Sequence, residues 1–366
     1  MPTVSFMNVS KSFDGVSALD RVTFDADDGE YLCVLGPTGS GKTTLLRLIA
    51  GLLKPSTGTI SFDDEPVNEM ISQNRNAAYV PQQYALFPHL TVLENVAFGP
   101  LARGRTESEA LSMAMKSLEL VRLAGRPTAF PKELSGGMQQ RVALARGLAS
   151  GARLLLLDEP LGALDARLRL DLRHKLRQIV KETGLTAIHV THDRDEAMSV
   201  ADRIMILRRG RIQDYGTPKR VYDRPTGIFV ANLIGGAAFL EGVVEATSGD
   251  SSTVRLRGGV IVKTPSHLLT TNEPVIIGVR KERTRLADYN AENIIEGDVR
   301  ETRFLGNSRE YVVRLDNGDT MYSRQFQEGK NERFRIGDKV TVGFDRSDVL
   351  IFAYPPQGLA RELEIV

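Results

Sequence analysis

Up to about residue 235, short apolar runs alternate with helical spacing, the pattern of a parallel sheet covered by helices. The clearest runs are Tyr31–Leu35, Ala77–Val80, Leu154–Leu157 and Thr186–Val190. Helical patterns follow two of them, at Lys42–Ala50, closed by Gly51, and at Ala166–Glu182, closed by Gly184. The first stretch of the chain differs. Alternation at Val4 and Phe6, and again at Val22 and Phe24, flanks the turn Asp14-Gly15 and predicts a small antiparallel layer. Between about 89 and 150 the signal is helical. Thr91 with Glu94, and Thr106 with Glu109, each fit a capping box, and Leu111, Met115, Leu118 and Val121 follow helical spacing. Met113 and Met115 are read as core fillers rather than a partner groove.

From about Gly242 the pattern changes to short strands split by turns, among them Asn317-Gly318 and Gly337-Asp338. That is an all-β domain, expected as small barrels. The echo of Glu241-Gly242-Val-Val in Glu296-Gly297-Asp-Val hints that one β unit is used twice.

Composition narrows the class without naming a function. The 366 residues suggest two or three domains at about 150 residues each. With 47 Lys plus Arg against 46 Asp plus Glu, the net charge of +1 argues against a dedicated nucleic-acid binder. The arginine-rich stretches 203–211 and 280–285 alternate with apolar residues and read as solvated strand faces. No apolar run approaches the roughly 20 residues a membrane span needs, and Asn8, Lys11 and Asp14 interrupt any signal-peptide core. One cysteine, Cys33, allows no intrachain disulfide, which fits a reducing cytoplasm.

The chemistry begins at Gly36-Pro37-Thr38-Gly39-Ser40-Gly41-Lys42-Thr43, which matches G-x-x-x-x-G-K-[ST] between a strand and a helix, with Thr44 following. In such a loop the glycines let backbone N–H groups turn toward phosphate oxygens at the positive end of the helix. Lys42 would neutralise β- and γ-phosphate charge, and Thr43 would place its hydroxyl on Mg²⁺. Leu154-Leu-Leu-Leu-Asp158-Glu159 is a buried strand delivering two acids to its C-terminal edge. Asp158 would reach Mg²⁺ directly or through water, and Glu159 would polarise the water attacking the γ-phosphate. Ser135 is a natural N-cap, and Gly136 and Gly137 in the first turn of its helix leave free N–H groups open to a bulky ligand.

Leu134-Ser135-Gly136-Gly137-Met138 resembles the Leu-Ser-Gly-Gly-Gln signature of ATP-binding cassette (ABC) proteins, with Met138 in place of the glutamine. That resemblance covers residues 1–235 and implies an α/β P-loop NTPase core with an antiparallel β layer and a helical subdomain (about 89–150). It assigns Gln82 to the loop that reaches metal and water and couples to a membrane partner. His192 takes the place of the switch histidine that contacts the γ-phosphate. Asp165 falls in the loop that crosses a dimer interface, although it also reads as a helix N-cap. Phe13 takes the place of the aromatic that stacks on adenine, with core packing as the alternative. Residues 240–366 resemble the all-β, OB-like (TOBE) domains of bacterial importer ATPases, and Gly278-Val-Arg280-Lys281-Glu282 is similar to their Gly-Ile-Arg-Pro-Glu turn.

As an ABC importer subunit, the chain is expected to bind ATP and Mg²⁺ and to pair with a second copy, each ATP lying between one P-loop and the other copy's Ser135-Gly136-Gly137. Its expected partners are integral-membrane permease subunits and, indirectly, an extracytoplasmic solute-binding protein. It would work at the cytoplasmic face of the inner membrane, with no nucleic acid involved. The β domain's resemblance to the spermidine/putrescine and ferric-iron branches of these importers implies a polyamine, iron or similar small solute. A sugar-type importer and a non-transport ABC ATPase are the alternatives.

Overall fold

The computed structural model describes residues 2–265, 269–287, 290–326 and 334–364. Residues up to Val221 form one compact unit and those from Tyr222 a second.

In the first unit, β1 (Val4–Phe13) and β2 (Val16–Ala26) make the hairpin that the alternation predicts, with Phe6 opposite Phe24 and their rings stacked 4.8 Å apart. β3 (Tyr31–Leu35) leads through the glycine-rich loop to α1 (Lys42–Ile49), and β4 (Thr57–Phe62) and β5 (Glu65–Pro66) complete an antiparallel sheet ordered β2-β1-β4-β5. β6 (Ala77–Val80) is followed by three helices, α2 (Val92–Ala102), α3 (Glu107–Leu120) and α4 (Gly136–Ala149). Then come β7 (Leu154–Asp158), α5 (Ala166–Thr183), β8 (Thr186–Thr191), α6 (Arg194–Val200), β9 (Arg203–Arg208) and β10 (Arg211–Gly216). The main sheet has the order β10-β9-β3-β8-β7-β6, parallel except for β10.

Burial follows from the sequence. Every residue of β3, β7 and β8 is buried, as a parallel strand covered on both faces requires. α1 contributes Leu45, Leu46, Leu48 and Ile49 to a core shared with Val4 and Phe6 of one sheet and Leu32 and Val34 of the other. Both predicted capping boxes form, at Thr91–Glu94 and Thr106–Glu109. The buried face of α3 is a correction. It consists of Ala110, Ala114, Ser117 and Leu118, while Met113 and Met115 are only half-buried, because small residues let α3 approach its neighbouring helices closely.

Two buried arginines escape any pattern reading. Arg75, 3% exposed, donates to the carbonyls of Leu48 and Ile49 at the end of α1 and to those of Val67 and Met70. It therefore brings a cation and its donors to the carbonyl end of a helix. Arg280, expected on a solvated face, is also 3% exposed. It donates to the carbonyls of Tyr222 and Ala231, and its guanidinium lies 4.0 Å from the Tyr222 ring centroid. α7 (Pro218–Asp223) spans the division between units, and α8 (Ile228–Gly235) packs within the second. These bonds hold α8 to the strands, which places the division ahead of the change in pattern near 235.

The second unit is built from β11 (Ala237–Ser248), β12 (Ser251–Leu256), β13 (Ile261–Pro265), β14 (Pro274–Arg280), β15 (Arg285–Leu286), β16 (Asn293–Phe304), β17 (Ser308–Leu315), β18 (Thr320–Phe326), β19 (Lys339–Phe344) and β20 (Val349–Ala353), with α9 (Leu359–Leu363) after them. Two five-stranded antiparallel sheets result, β13-β12-β11-β14-β20 and β15-β19-β16-β17-β18. The end strands of each, β13 with β20 and β15 with β18, approach within 8 Å between Cα atoms, so each sheet curls into a barrel.

The echoed Glu-Gly pairs mark the central strand of each barrel. Gly242 of β11 faces Leu256 and Val275, and Gly297 of β16 faces Leu315 and Val340. A methyl group there would fall 2.4 Å from Val254 Cγ1 or from the Arg314 carbonyl, so neither position accepts a side chain. The structure extends the duplication. Val254-Arg-Leu256 matches Val313-Arg-Leu315, and Val275-Ile-Ile-Gly278 matches Val340-Thr-Val-Gly343. The fifth strands are exchanged: β15 leaves the first repeat to pair with β19, and β20 leaves the second to pair with β14.

Candidate active site

Four loops leave the same edge of the main sheet. β3, β8, β7 and β6 run parallel, with Leu35 level with Thr191, Asp158 with Val190, and Val80 with Leu157. That register carries residues 36–44, His192, Glu159 and Gln82 to one crevice beyond the C-terminal strand ends, where open α/β sheets bind ligands.

A cavity of about 450 Å³ opens there, walled by Ala18, Thr38, Gly39, Gly41, Lys42, Thr43, Thr44, Gln82, Glu159 and His192. The loop around it admits no larger residue at two of its glycines. A methyl on Gly36 would meet the Leu207 carbonyl at 2.1 Å, and one on Gly41, at φ +106°, would meet the Ala18 carbonyl at 2.5 Å. Lys42 is buried and donates from Nζ to the carbonyls of Gly36 and Pro37, both at 2.9 Å. Burial lowers its pKa, against the pull of Glu159 and Asp158. Ser40 is buried within the loop beside Gly36.

Asp158 is 2% exposed and held from both sides: Thr43 Oγ1 donates to Oδ1 at 3.2 Å, and the Tyr79 hydroxyl to Oδ2 at 3.0 Å. Burial raises the Asp158 pKa, and these two donors offset part of the rise. Tyr79 itself is pushed up to about 12 by burial and by the Asp158 charge, so its hydroxyl keeps its proton. Glu159 has the left-handed φ of +49°. Its carboxylate accepts from Gln82 Nε2 at 3.0 Å and lies 3.3 Å from His192 Nδ1. A carboxylate so placed beside the open cavity can take a proton from water, and the loop and Lys42 can receive a polyphosphate.

Gly36, Pro37, Ser40 and Asp158 are not among the walls themselves, and neither are three further predicted groups. Phe13 is 42% exposed at the tip of the β1–β2 hairpin, with Lys11 Nζ 5.0 Å from its ring centroid, so it does not fill the core. Asp165 caps α5, accepting from the Leu168 N–H at 3.0 Å. Ser135 caps α4, and Ser135 and Gly136 are exposed at the start of that helix.

Two residues of the site were not anticipated. Tyr79 carries no motif. Gln140 does stand out on inspection, being a glutamine on the buried face of a helix. Its amide donates to the Glu159 carbonyl at 2.9 Å and accepts from the Ala163 N–H at 2.9 Å. Among the described residues, no group of three or more His, Cys, Asp and Glu side chains is placed to hold a metal ion.

The family model for ABC transporters matches residues 19–162, and that for the TOBE domain matches residues 277–352. The chain is 38% identical to the spermidine/putrescine import ATP-binding protein PotA of Rubrobacter xylanophilus over 351 residues, covering 95% of this chain and 93% of that protein. It is 35% identical to the PotA of Marinobacter nauticus over 363 residues, covering 98% and 97%. Among solved structures it is similar to the dimeric bacterial ABC transporter cassette MJ0796, at TM-score 0.56 and 32% identity. That match covers 59% of this chain and 98% of the cassette. A post-hydrolysis state of the same cassette, bound to ADP and Pi, matches with the same TM-score at 33% identity.

Proposed function

Because the chain belongs to the ABC transporter family and is an ATPase of that family, we propose that it powers the import of a polyamine-class solute through separate permease subunits. The observation that carries the mechanism is the convergence of Lys42, Thr43, Gln82, Glu159 and His192 on one cavity from four loops, with the buried Asp158 bonded to Thr43. The relatives, which align over nearly the whole chain, are polyamine importers by name, and this favours a polyamine over iron or a sugar.

In this reading residues 36–44 bind the ATP phosphates through backbone N–H groups and Lys42, and Phe13 stacks on the adenine. Glu159 accepts a proton from the attacking water, with Gln82 and His192 fixing its carboxylate, and His192 also contacts the γ-phosphate. Thr43 and Asp158, with Gln82, would hold Mg²⁺; two oxygen donors 3.2 Å apart suit an ion that takes its other ligands from phosphate and water. When bound, Mg²⁺ supplies charge neutralisation across the β- and γ-phosphates.

The chain carries one P-loop and one Ser135-Gly136-Gly137 segment. Two copies therefore complete two ATP sites, with Asp165 near the contact between them. The first unit, up to Val221, acts as the nucleotide-binding domain and the second as a regulatory β domain. Among the described residues no helix is long and apolar enough to cross a membrane. The subunit works at the cytoplasmic face of the inner membrane, on a permease fed by an extracytoplasmic solute-binding protein. The docking place for the permease is a groove of about 540 Å³ beside the Gln82 loop, lined by Phe87, Phe98, Arg103 and Arg146 among others. Phe98 is 46% exposed there.

The test is Glu159→Gln. Hydrolysis should fall by about 10²–10⁴-fold, while gel filtration with ATP and Mg²⁺ should give a stable dimer. Wild-type turnover, or a monomer under saturating ATP, overturns the mechanism. Reconstituted with its permease and a polyamine-loaded binding protein, the wild-type chain should show stimulated ATPase; stimulation only by a sugar or iron carrier overturns the substrate class.

A further inference from the structure

We propose that Gln140 is a positioning residue that couples the two ATP sites of the dimer, an inference that rests on the dimeric reading above. Glu159 is held in a left-handed backbone conformation that disfavours a non-glycine residue, and it is followed by Pro160, which has no N–H. The Gly162 N–H reaches the Glu159 carbonyl at 3.3 Å, and the Glu159 N–H is bound to the Val190 carbonyl at 2.9 Å. Further along, the Leu164 N–H reaches the Leu161 carbonyl at 3.3 Å and Arg169 donates to the Gly162 and Leu164 carbonyls, but it is Gln140, 4% exposed, that ties the Glu159 carbonyl itself to the Ala163 N–H.

Gln140 lies on α4, the helix whose first turn is Gly136-Gly137. The contact is tight at that end too: a methyl on Gly137 would fall 3.1 Å from the Ala163 carbonyl. Residues 137 and 140 share one helix face, so the start of α4 packs closely on the Glu159–Ala163 turn at Gly137 and is hydrogen-bonded to it at Gln140. The start of α4 meets the ATP held by the other copy, whereas Glu159 serves the ATP held by its own P-loop. A displacement of α4 on closure is therefore delivered through the Gln140 amide to the Glu159 backbone. Occupancy of one site thereby sets the geometry of the general base in the other.

Two variants of the full-length chain test this. Gln140→Met keeps the volume and removes both bonds. Gln140→Glu keeps the acceptor for Ala163 and loses the donor to Glu159. The readouts are equilibrium binding of a non-hydrolysable ATP analogue, kcat, and the Hill coefficient of hydrolysis. For Gln140→Met we expect analogue binding as in wild type, kcat lower by about 100-fold and a Hill coefficient near 1, with Gln140→Glu intermediate in kcat. Wild-type kcat and Hill coefficient in Gln140→Met overturn the proposal. So does loss of analogue binding or of the folded state in both variants, which would make Gln140 a packing residue. If wild-type chain itself hydrolyses ATP as a monomer, the dimeric reading fails, and the wild-type measurement alone reveals it.

Discussion

Replacing Tyr79 with Phe removes one oxygen and tests how the buried Asp158 is kept charged. The lost bond is a 3.0 Å donation to a carboxylate that is 2% exposed, leaving Thr43 as the side-chain donor to Asp158. Hydrogen bonds to charged groups contribute about 1.5–3 kcal/mol, so at pH 8 without nucleotide the variant should lose about 2 kcal/mol. In a unit of this size that is a fall in melting temperature of about 5 °C. The loss should depend on pH. Burial already raises the Asp158 pKa above its ordinary 3.8, and removing a donor to the charged form raises it further. The folded variant thus takes up a proton at higher pH than wild type. The difference between them is full above both folded values and shrinks as pH falls from the variant's Asp158 pKa to the wild type's, both of which lie above 3.8. Tyr79, with its own pKa near 12, stays a neutral donor throughout. Urea unfolding at several pH values between 4 and 8 measures this. A loss that is the same at every pH would show that Tyr79 acts by packing alone, and no loss at pH 8 would refute the hydrogen-bond argument.

Three further outcomes are expected. His192→Ala should retain ATP binding and lose turnover, checked by analogue binding beside phosphate release; wild-type turnover removes His192 from the site. Arg75→Met removes a buried donor from four carbonyls, of which those of Leu48 and Val67 keep a backbone N–H partner and those of Ile49 and Met70 lose the side-chain donor they have. It should cost about 4 kcal/mol, seen by calorimetry as a lower first-unit transition, and an unchanged transition would show those carbonyls find other partners. Ending the chain after Asp348 removes β20 and α9. Because β20 completes the barrel of the first repeat, the whole second-unit transition should vanish while ATP binding persists; a surviving transition would mean the repeats fold separately.

The site was legible where chemistry forces a local pattern. Gly36 and Gly41 are dictated by carbonyls too close for a side chain, and Asp158 follows four leucines because a buried parallel strand must be apolar until it reaches the sheet edge. Partners that meet only in three dimensions were not legible. Tyr79 reaches Asp158 because β6 and β7 are adjacent and in register, and a tyrosine in a four-residue strand announces nothing by itself. Arg280 reads as solvated for a related reason, and Arg75 carries no pattern at all. Alternation with apolar neighbours marks an arginine as solvated only if no backbone carbonyls converge on the other face, and here they do.

The second unit shows the same limit in its topology. The duplicated glycines are legible because each is imposed by a close approach across neighbouring strands. The exchange of fifth strands is not, since β15 is two residues long and has no period to read. What commits it is a set of buried hydroxyl bonds. Thr284 is 2% exposed and donates to the carbonyls of Lys281 and Tyr322, and Ser323, fully buried, donates back to the Thr284 carbonyl. Tyr322 and Ser323 belong to β18 of the second sheet, so these bonds turn the chain out of β14 and across to the other barrel. Two ion pairs repeat the crossing. Lys281, after β14, binds Glu310 of β17 at 2.5 Å, and Arg346, after β19, binds Asp250 between β11 and β12 at 3.2 Å. Each repeat therefore supplies both a strand and a cation to the other. Neither barrel is complete without its partner, and a strain applied to one is carried by covalent chain and buried hydroxyls into the second.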